Sequence, residues 1–292
     1  MTAAARSLVR TNAPRRPRAH PLEWLLIHSA FIVVSAFFLA PFLWLFGAAF
    51  DENATAYIHW PAAPTLNNFI RIFTEHDFGI ALGNSVFVSV ATMLLVVVTV
   101  SLAGYSLSRI ELRRKDWITY AILLLQTMPL SATMVPIYGL ARQLGLRNSY
   151  LGLILIHATI ELPFLVWLMK GFFDSVPRQL EEASWLDGRT RLRALIEIVL
   201  PLARPGLGIA AGLSFLSAWA EVLMVIILVD QQSMKTVPLA FYEAMRTQGG
   251  YTEVQYGVIS AMAVLYLLPV MAVFFGARRL MVRGLMNSTR GL

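Results

Sequence analysis

Glu161 and Glu221 each interrupt an apolar run long enough to cross a bilayer. An acid at such depth costs on the order of 3 kcal/mol or more unless it turns toward protein or a cavity. Counted from the outer end of each run, the two lie roughly 16 Å and 12 Å deep at 1.5 Å per residue. Carboxylates accept hydrogen bonds from hydroxyl groups, and Trp219, two residues before Glu221, adds a flat indole ring. Gln126, Asn84 and Tyr138 place further polar groups inside other apolar runs. Each has an ordinary reading beside the binding one: an acid bonded to helix ends or a loop, or a polar residue bonded to a neighbouring helix. Bond-breaking chemistry finds no support. His20, His28, His59, His76 and His157 are scattered without metal-ligand spacing, and no nucleophile and base pair can be assembled. Lys235-Thr236 imitates the end of a phosphate loop, but Val229 to Met234 before it supply no glycine cradle. With no cysteine, disulfides and thiolate metal sites are excluded.

A different chemistry is concentrated in EEASWLDGRTRLRALIEIVLPLARPG, from Glu181 to Gly206. Glu181, Glu182, Ala183, Ser184, Asp187 and Gly188 combine acids with small side chains. Small residues flanked by carboxylates make a knob that fits a protein cleft and meets arginines there. Pro177 and the two glutamates suit a helix start, and Gly188 permits a backbone reversal. Beyond it, Leu192, Leu195, Ile196, Val199 and Leu200 fall on one helical stripe, with Pro201 expected to end the helix. Periodicity alone also allows an amphipathic helix lying on lipid phosphates. The acids argue against that, since anionic lipid repels them.

The elements that must carry these residues are membrane spans. Hydrophobic residues make up 57% of the 292 and charged residues 14%, where a soluble domain is about a quarter charged. Six runs reach the roughly 20 residues a bilayer requires: Trp24–Phe50, Ile80–Leu107, Trp117–Leu140, Tyr150–Met169, Pro205–Val229 and Tyr256–Ala277. All are expected to be helices, because period-2 alternation is absent. The first is too long for a signal-peptide core and reads as a retained anchor kinked at Pro41. The formal net charge of +7 is a matter of topology. With the N-terminus inside, every cytoplasmic segment is basic, leaving only Arg71, Arg142, Arg147, Lys235 and Arg246 outside. Nucleic acid is therefore not a partner, whereas membrane lipid is. The expected layout is an all-α polytopic membrane protein with six transmembrane helices. Residues 1–21 form a basic cytoplasmic tail, 22–280 one transmembrane domain with a cytoplasmic loop at 171–204, and 281–292 a second cytoplasmic tail.

The segment from Glu182 resembles the EAA loop of ATP-binding-cassette importer permeases. Glu182, Ala183, Ser184, Gly188, Ile198, Leu200 and Pro201 stand in the family spacing, with Ser184 in place of an alanine. The resemblance covers most of the chain and is to the carbohydrate-uptake, maltose-type, six-span subgroup. It is carried by Pro64–Phe69, Asn84-Ser85, Gly104–Arg109, Met128-Pro129, Pro136–Tyr138, Leu144–Ser149, Gly171–Phe173 and Arg283–Leu285 in order. Ser288–Gly291 departs from the subgroup's tail, and Ala220 stands where relatives often carry asparagine.

The resemblance implies a permease subunit in a bacterial or archaeal cytoplasmic membrane, importing a sugar or related polyhydroxylated solute by alternating access. Its coupling helix would dock partner ATPases through Glu181, Glu182, Ala183, Ser184, Asp187, Gly188, Ile198, Leu200 and Pro201. The expected partners are a second permease subunit, a different chain, two ATP-binding-cassette ATPases and an extracytoplasmic solute-binding protein. ATP and Mg belong to the ATPases, and this chain needs no cofactor. On that reading Glu161, Glu221, Trp219, Gln126, Asn84 and Tyr138 line the substrate path. The rival from another class is a stand-alone secondary transporter using Glu161 and Glu221 as ion sites. It calls for paired repeats with broken helices, which the sequence does not display.

Overall fold

The computed structural model describes residues 21–111, 113–245 and 254–288. Arg6 to Arg18 of the basic tail, Arg246 and residues 289–292 lie outside it. The described residues form helices and no strand.

Helix α1 (Pro21–Ala49) is apolar on every face and almost wholly exposed, as a helix surrounded by lipid should be. It runs without a break through Pro41. The short α2 (Asn67–Thr74) is tied to the end of α1 by Asn68, whose Nδ2 donates to the carbonyls of Ala49 and Asp51. Helix α3 (Phe78–Arg109) is the central post of the molecule. Its buried face carries small and hydroxyl residues at Ala81, Ser85, Ser89, Ser101, Gly104 and Ser108, which let neighbouring backbones approach. A Cβ on Gly104 would lie 3.1 Å from the backbone nitrogen of Lys170, so α3 and α6 (Tyr150–Asp174) pack there almost backbone to backbone.

Two spans expected to be continuous are broken. The third consists of α4 (Lys115–Leu124), a single 3-10 turn at Leu125–Thr127, and α5 (Leu130–Gln143), bent by 94°. Pro129 forces Met128 out of the helical region to an extended conformation, and the chain restarts in a new direction. In the fifth, α10 (Arg204–Ala220) ends at Glu221, which is extended, and α11 (Leu223–Leu228) follows. Among the described residues four single helices are long and apolar enough to cross a membrane; two bent pairs, α4 with α5 and Arg191–Leu202 with α10, raise the number to six if each is one span.

Between α6 and α10 lie α7 (Arg178–Leu186) and a composite helix: α8 (Arg191–Ala194), a π turn (Leu195–Val199) and α9 (Leu200–Leu202). This composite meets α10 at an 80° elbow. The other end of the molecule is closed by α12 (Val237–Met245), and α13 (Tyr256–Ser288) completes the bundle, running past the expected end of its span at Ala277. One apolar cluster, with Val100, Leu165, Met169, Phe173, Leu195 and Val199, sits beneath the α7–α9 projection. A second joins Val88, Leu153, Met224 and Leu228, and a third packs Ile72, Phe78, Val237 and Met262 at the α12 end.

Candidate functional site

The segment expected to form a coupling helix folds as two short helices separated by a reversal. Gly188 has φ +82° and open space where a Cβ would stand, so only the backbone conformation calls for glycine there. Helix α7 presents Glu182 and Ala183 outward, and Asp187 and Gly188 continue the exposed edge. Glu181 and Ser184 point the other way. Glu181 is 1% exposed, with Oε2 accepting from the Tyr105 hydroxyl at 2.7 Å and Oε1 from Arg109 Nε at 2.6 Å. The acidic knob is thus narrower than the sequence suggests, because one of its glutamates is an internal ion-pair partner.

The expected five-residue stripe also divides. Leu195 and Val199 are buried, whereas Leu192 and Ile196 are exposed and Leu200 is half-buried. A π turn interrupts the second half of the stripe. Leu200 N–H donates to Leu195 O, five residues back, which rotates the side chains after it out of the 3.6-residue phase. Pro201 has no N–H, and its ring would meet the carbonyl four residues before, so a widened turn relieves the conflict. The helix therefore runs to Leu202, past the expected stop at Pro201. On the projection Leu186 is 90% exposed, and Leu192, Ile196, Glu182 and Asp187 are exposed as well. A hollow of about 590 Å³ next to it is lined by Arg178, Glu182, Trp185 and Arg191, with the Arg191 guanidinium 5.5 Å from the Trp185 ring centre.

The intramembrane acids have different surroundings. Glu221 sits at the break in span five, where its two oxygens accept from the backbone N–H groups of Leu223 and Met224, each at 2.9 Å. It therefore caps the start of α11. Trp219 is 1% exposed and its ring stacks with Phe215 and Tyr266, which leaves no face for a bound molecule. Asn84 is fully engaged: Nδ2 donates to the carbonyls of Ser233 and Lys235, and Oδ1 accepts from the Tyr150 hydroxyl. Glu161 differs. It is 7% exposed and neither oxygen has a hydrogen-bond partner of ordinary geometry, although Ser214 and Ser217 of α10 bring hydroxyls near. His157, one turn earlier on α6, was not singled out by its spacing to other histidines, yet its Nε2 lies 3.4 Å from Glu221 Oε2. Its four-residue separation from Glu161 was the available signal. Gln126 is exposed at the break in span three, and Tyr138 is half-buried beneath the Arg147 guanidinium. Among the described residues no cluster of three acids, histidines or cysteines could hold a metal.

This architecture and segment have relatives. Residues 100–287 match the family described as "Binding-protein-dependent transport system inner membrane component". The sulfoquinovosyl glycerol transport system permease protein SmoH of Agrobacterium fabrum is 31% identical, over 84% of this chain and 85% of that protein. The trehalose transport system permease protein SugB of Mycobacterium tuberculosis is 31% identical, over 87% and 92%. The fold matches a chain of a bacterial ABC transporter involved in the import of the acidic polysaccharide alginate. The TM-score is 0.78 at 19% identity, covering 91% of this chain and 99% of that one.

The chain belongs to the family of binding-protein-dependent transport system inner membrane components. It is a multi-pass permease of an ABC importer that works with a solute-binding protein. Broken helices are present in spans three and five, contrary to the expectation from sequence. They do not restore the stand-alone carrier, because the family relationship decides the class.

Proposed function

We propose that the chain imports a sugar or related polyhydroxylated solute, and that the α7–α9 projection is the cytoplasmic surface on which ATP-binding-cassette ATPases dock. The sugar class is supported by relatives named for trehalose, maltodextrin and diacetylchitobiose transport. The docking assignment rests on one observation: on this projection Glu182, Ala183, Asp187 and Gly188 are exposed, and so are the large apolar Leu186, Leu192 and Ile196. Acids and large apolar groups together suit a protein cleft better than anionic lipid. Ser184, Ile198, Leu200 and Pro201 act from behind, holding that surface in shape, and so does Glu181. ATP and Mg bind in the ATPases, which supply the hydrolysis. The projection then lies in the cytoplasm with both termini, and α12 faces the solute-binding protein.

A second permease subunit, a different chain, covers the break in span three. Leu125, Gln126, Thr127, Met128 and Pro129 are all exposed there. Non-helical backbone at membrane depth is tolerated only against protein or a water-filled cavity. Gln126 and Tyr138 are accordingly the accessible candidates for the solute path. Glu161, whose oxygens are unpartnered, is the acid that parting helices would uncover. Glu221, Trp219 and Asn84 support that path structurally.

Glu182→Lys and Gly188→Pro test the docking surface. Each should abolish uptake and weaken co-purification of the ATPase while the chain still inserts. Wild-type uptake and ATPase retention in both would refute it.

A further inference from the structure

We propose that Glu181 and Arg109 are positioning residues that fasten α7 to the ends of α3 and α6, so that a displacement of α7 is delivered to both helices as one body. The inference rests on the reading that α7 is where the ATPase docks. It concerns the opposite face of the helix.

Helix α7 is covalently linked to its neighbours only by short segments, one at Ser175–Pro177 and the other at the Gly188 reversal. Its non-covalent attachment is much denser. Arg109, the last residue of α3, donates Nε to Glu181 Oε1 at 2.6 Å. The same guanidinium donates NH1 to the Phe173 carbonyl at 3.1 Å and NH2 to the Val176 carbonyl at 3.2 Å, at the end of α6. One side chain therefore holds three elements. Tyr105, one turn earlier on α3, donates to the other Glu181 oxygen, and its ring lies 5.8 Å from the Arg109 guanidinium carbon. Ser108 donates to Asp174 Oδ1 at 2.6 Å, joining α3 to α6 a second time. Arg178, the first residue of α7, donates to the Ser108 carbonyl at 3.1 Å.

Glu181 and Arg109 are both largely buried, at 2% and 15% side-chain exposure. A buried pair of this kind contributes little net stability, but removing one partner leaves the other uncompensated. Its value lies in fixing geometry: a fully satisfied buried network resists the relative sliding that an apolar contact allows. Directly behind the network, Gly104 brings α3 and α6 into backbone contact, so the two helices cannot part there without opening the core. The path from α7 toward α10 has the opposite character. It passes the Gly188 reversal, a π turn and the 80° elbow. Movement of α7 is thus carried directly to α3 and α6, and α10 meets it through its packing against those two helices rather than through this chain link.

The chain has no native cysteine, so two labels can be placed cleanly. Nitroxides at Gln179→Cys on α7 and Leu102→Cys on α3, both exposed positions, are to be followed by pulsed electron resonance. The measurement uses the complete complex with cysteine-free partners, without nucleotide and with ATP trapped by vanadate. The proposal expects one narrow distance distribution that shifts by less than about 2 Å between the two states. In Glu181→Gln the distribution should broaden and become nucleotide-dependent. Tyr105→Phe, which keeps the ion pair, should do so more weakly and carries the test if the first variant fails to assemble. A nucleotide-dependent shift above about 5 Å in the unmodified network would overturn the proposal. So would a narrow, nucleotide-independent distribution in both variants. Glu182→Lys, run in parallel, reports the docking reading separately: retention of the ATPase there would defeat that reading, whereas its loss leaves the distance test as the judge of the network.

Discussion

Two glutamates of similar depth and sequence context turn out to do different work. Glu221 spends both oxygens on the N-terminus of α11, where a carboxylate also meets the favourable end of the helix dipole. Glu221→Ala should therefore destabilise the purified complex by about 1 kcal/mol, read as a lowered thermal midpoint. An unchanged midpoint would mean that the cap contributes nothing. Among the described residues Glu161 has only the Ser214 and Ser217 hydroxyls near it, neither in ordinary hydrogen-bond geometry, and an unsatisfied buried polar group costs about 1–3 kcal/mol. Glu161→Leu should raise the midpoint while lowering uptake, since a site kept at the expense of stability is kept for function. If stability falls instead, Glu161 has a structural partner and leaves the solute path. The sequence placed both acids inside apolar runs but could not separate them. Which oxygen meets which N–H depends on where a helix breaks, and nothing in Ala220-Glu221-Val222 announces a break.

At the scale of elements, the apolar runs were legible because length and hydropathy are set by the bilayer itself, whereas their breaks and phase were not. Pro129 did mark the bend in span three, but Pro41, Pro136, Pro163 and Pro269 lie within unbroken helices. Proline alone therefore does not identify a break. The reversal at Gly188 was readable from residue type, since only glycine adopts φ +82° without strain. The π turn before Pro201 was not, and it shifts Leu200 and the residues after it out of the expected phase. The burial of Glu181 was hidden for another reason: its partner Arg109 is 72 residues away in sequence. Gly206 offers a test of how tightly these elements fit. A Cβ there would fall 2.4 Å from the Phe172 ring, so α10 can start beside α6 only with glycine. Gly206→Val should impair assembly and uptake, and Phe172→Ala in the same chain should restore part of both. Full activity of Gly206→Val alone would show that the contact yields without cost.

For the whole molecule, the central claim is that the α7–α9 projection meets an ATPase and not lipid. The uncovered apolar groups, the exposed acids and the family to which the chain belongs all bear on it. The most direct measurement is site-directed cross-linking from Leu186→Cys in the assembled complex, the side chain there being 90% exposed and the chain otherwise free of cysteine. A short thiol-to-amine reagent at that position should give one covalent product containing this chain and the ATPase subunit, and Glu182→Lys should abolish it. The account would be contradicted if no ATPase product formed and Leu186→Cys were instead quenched by lipid-borne nitroxides in the membrane surface.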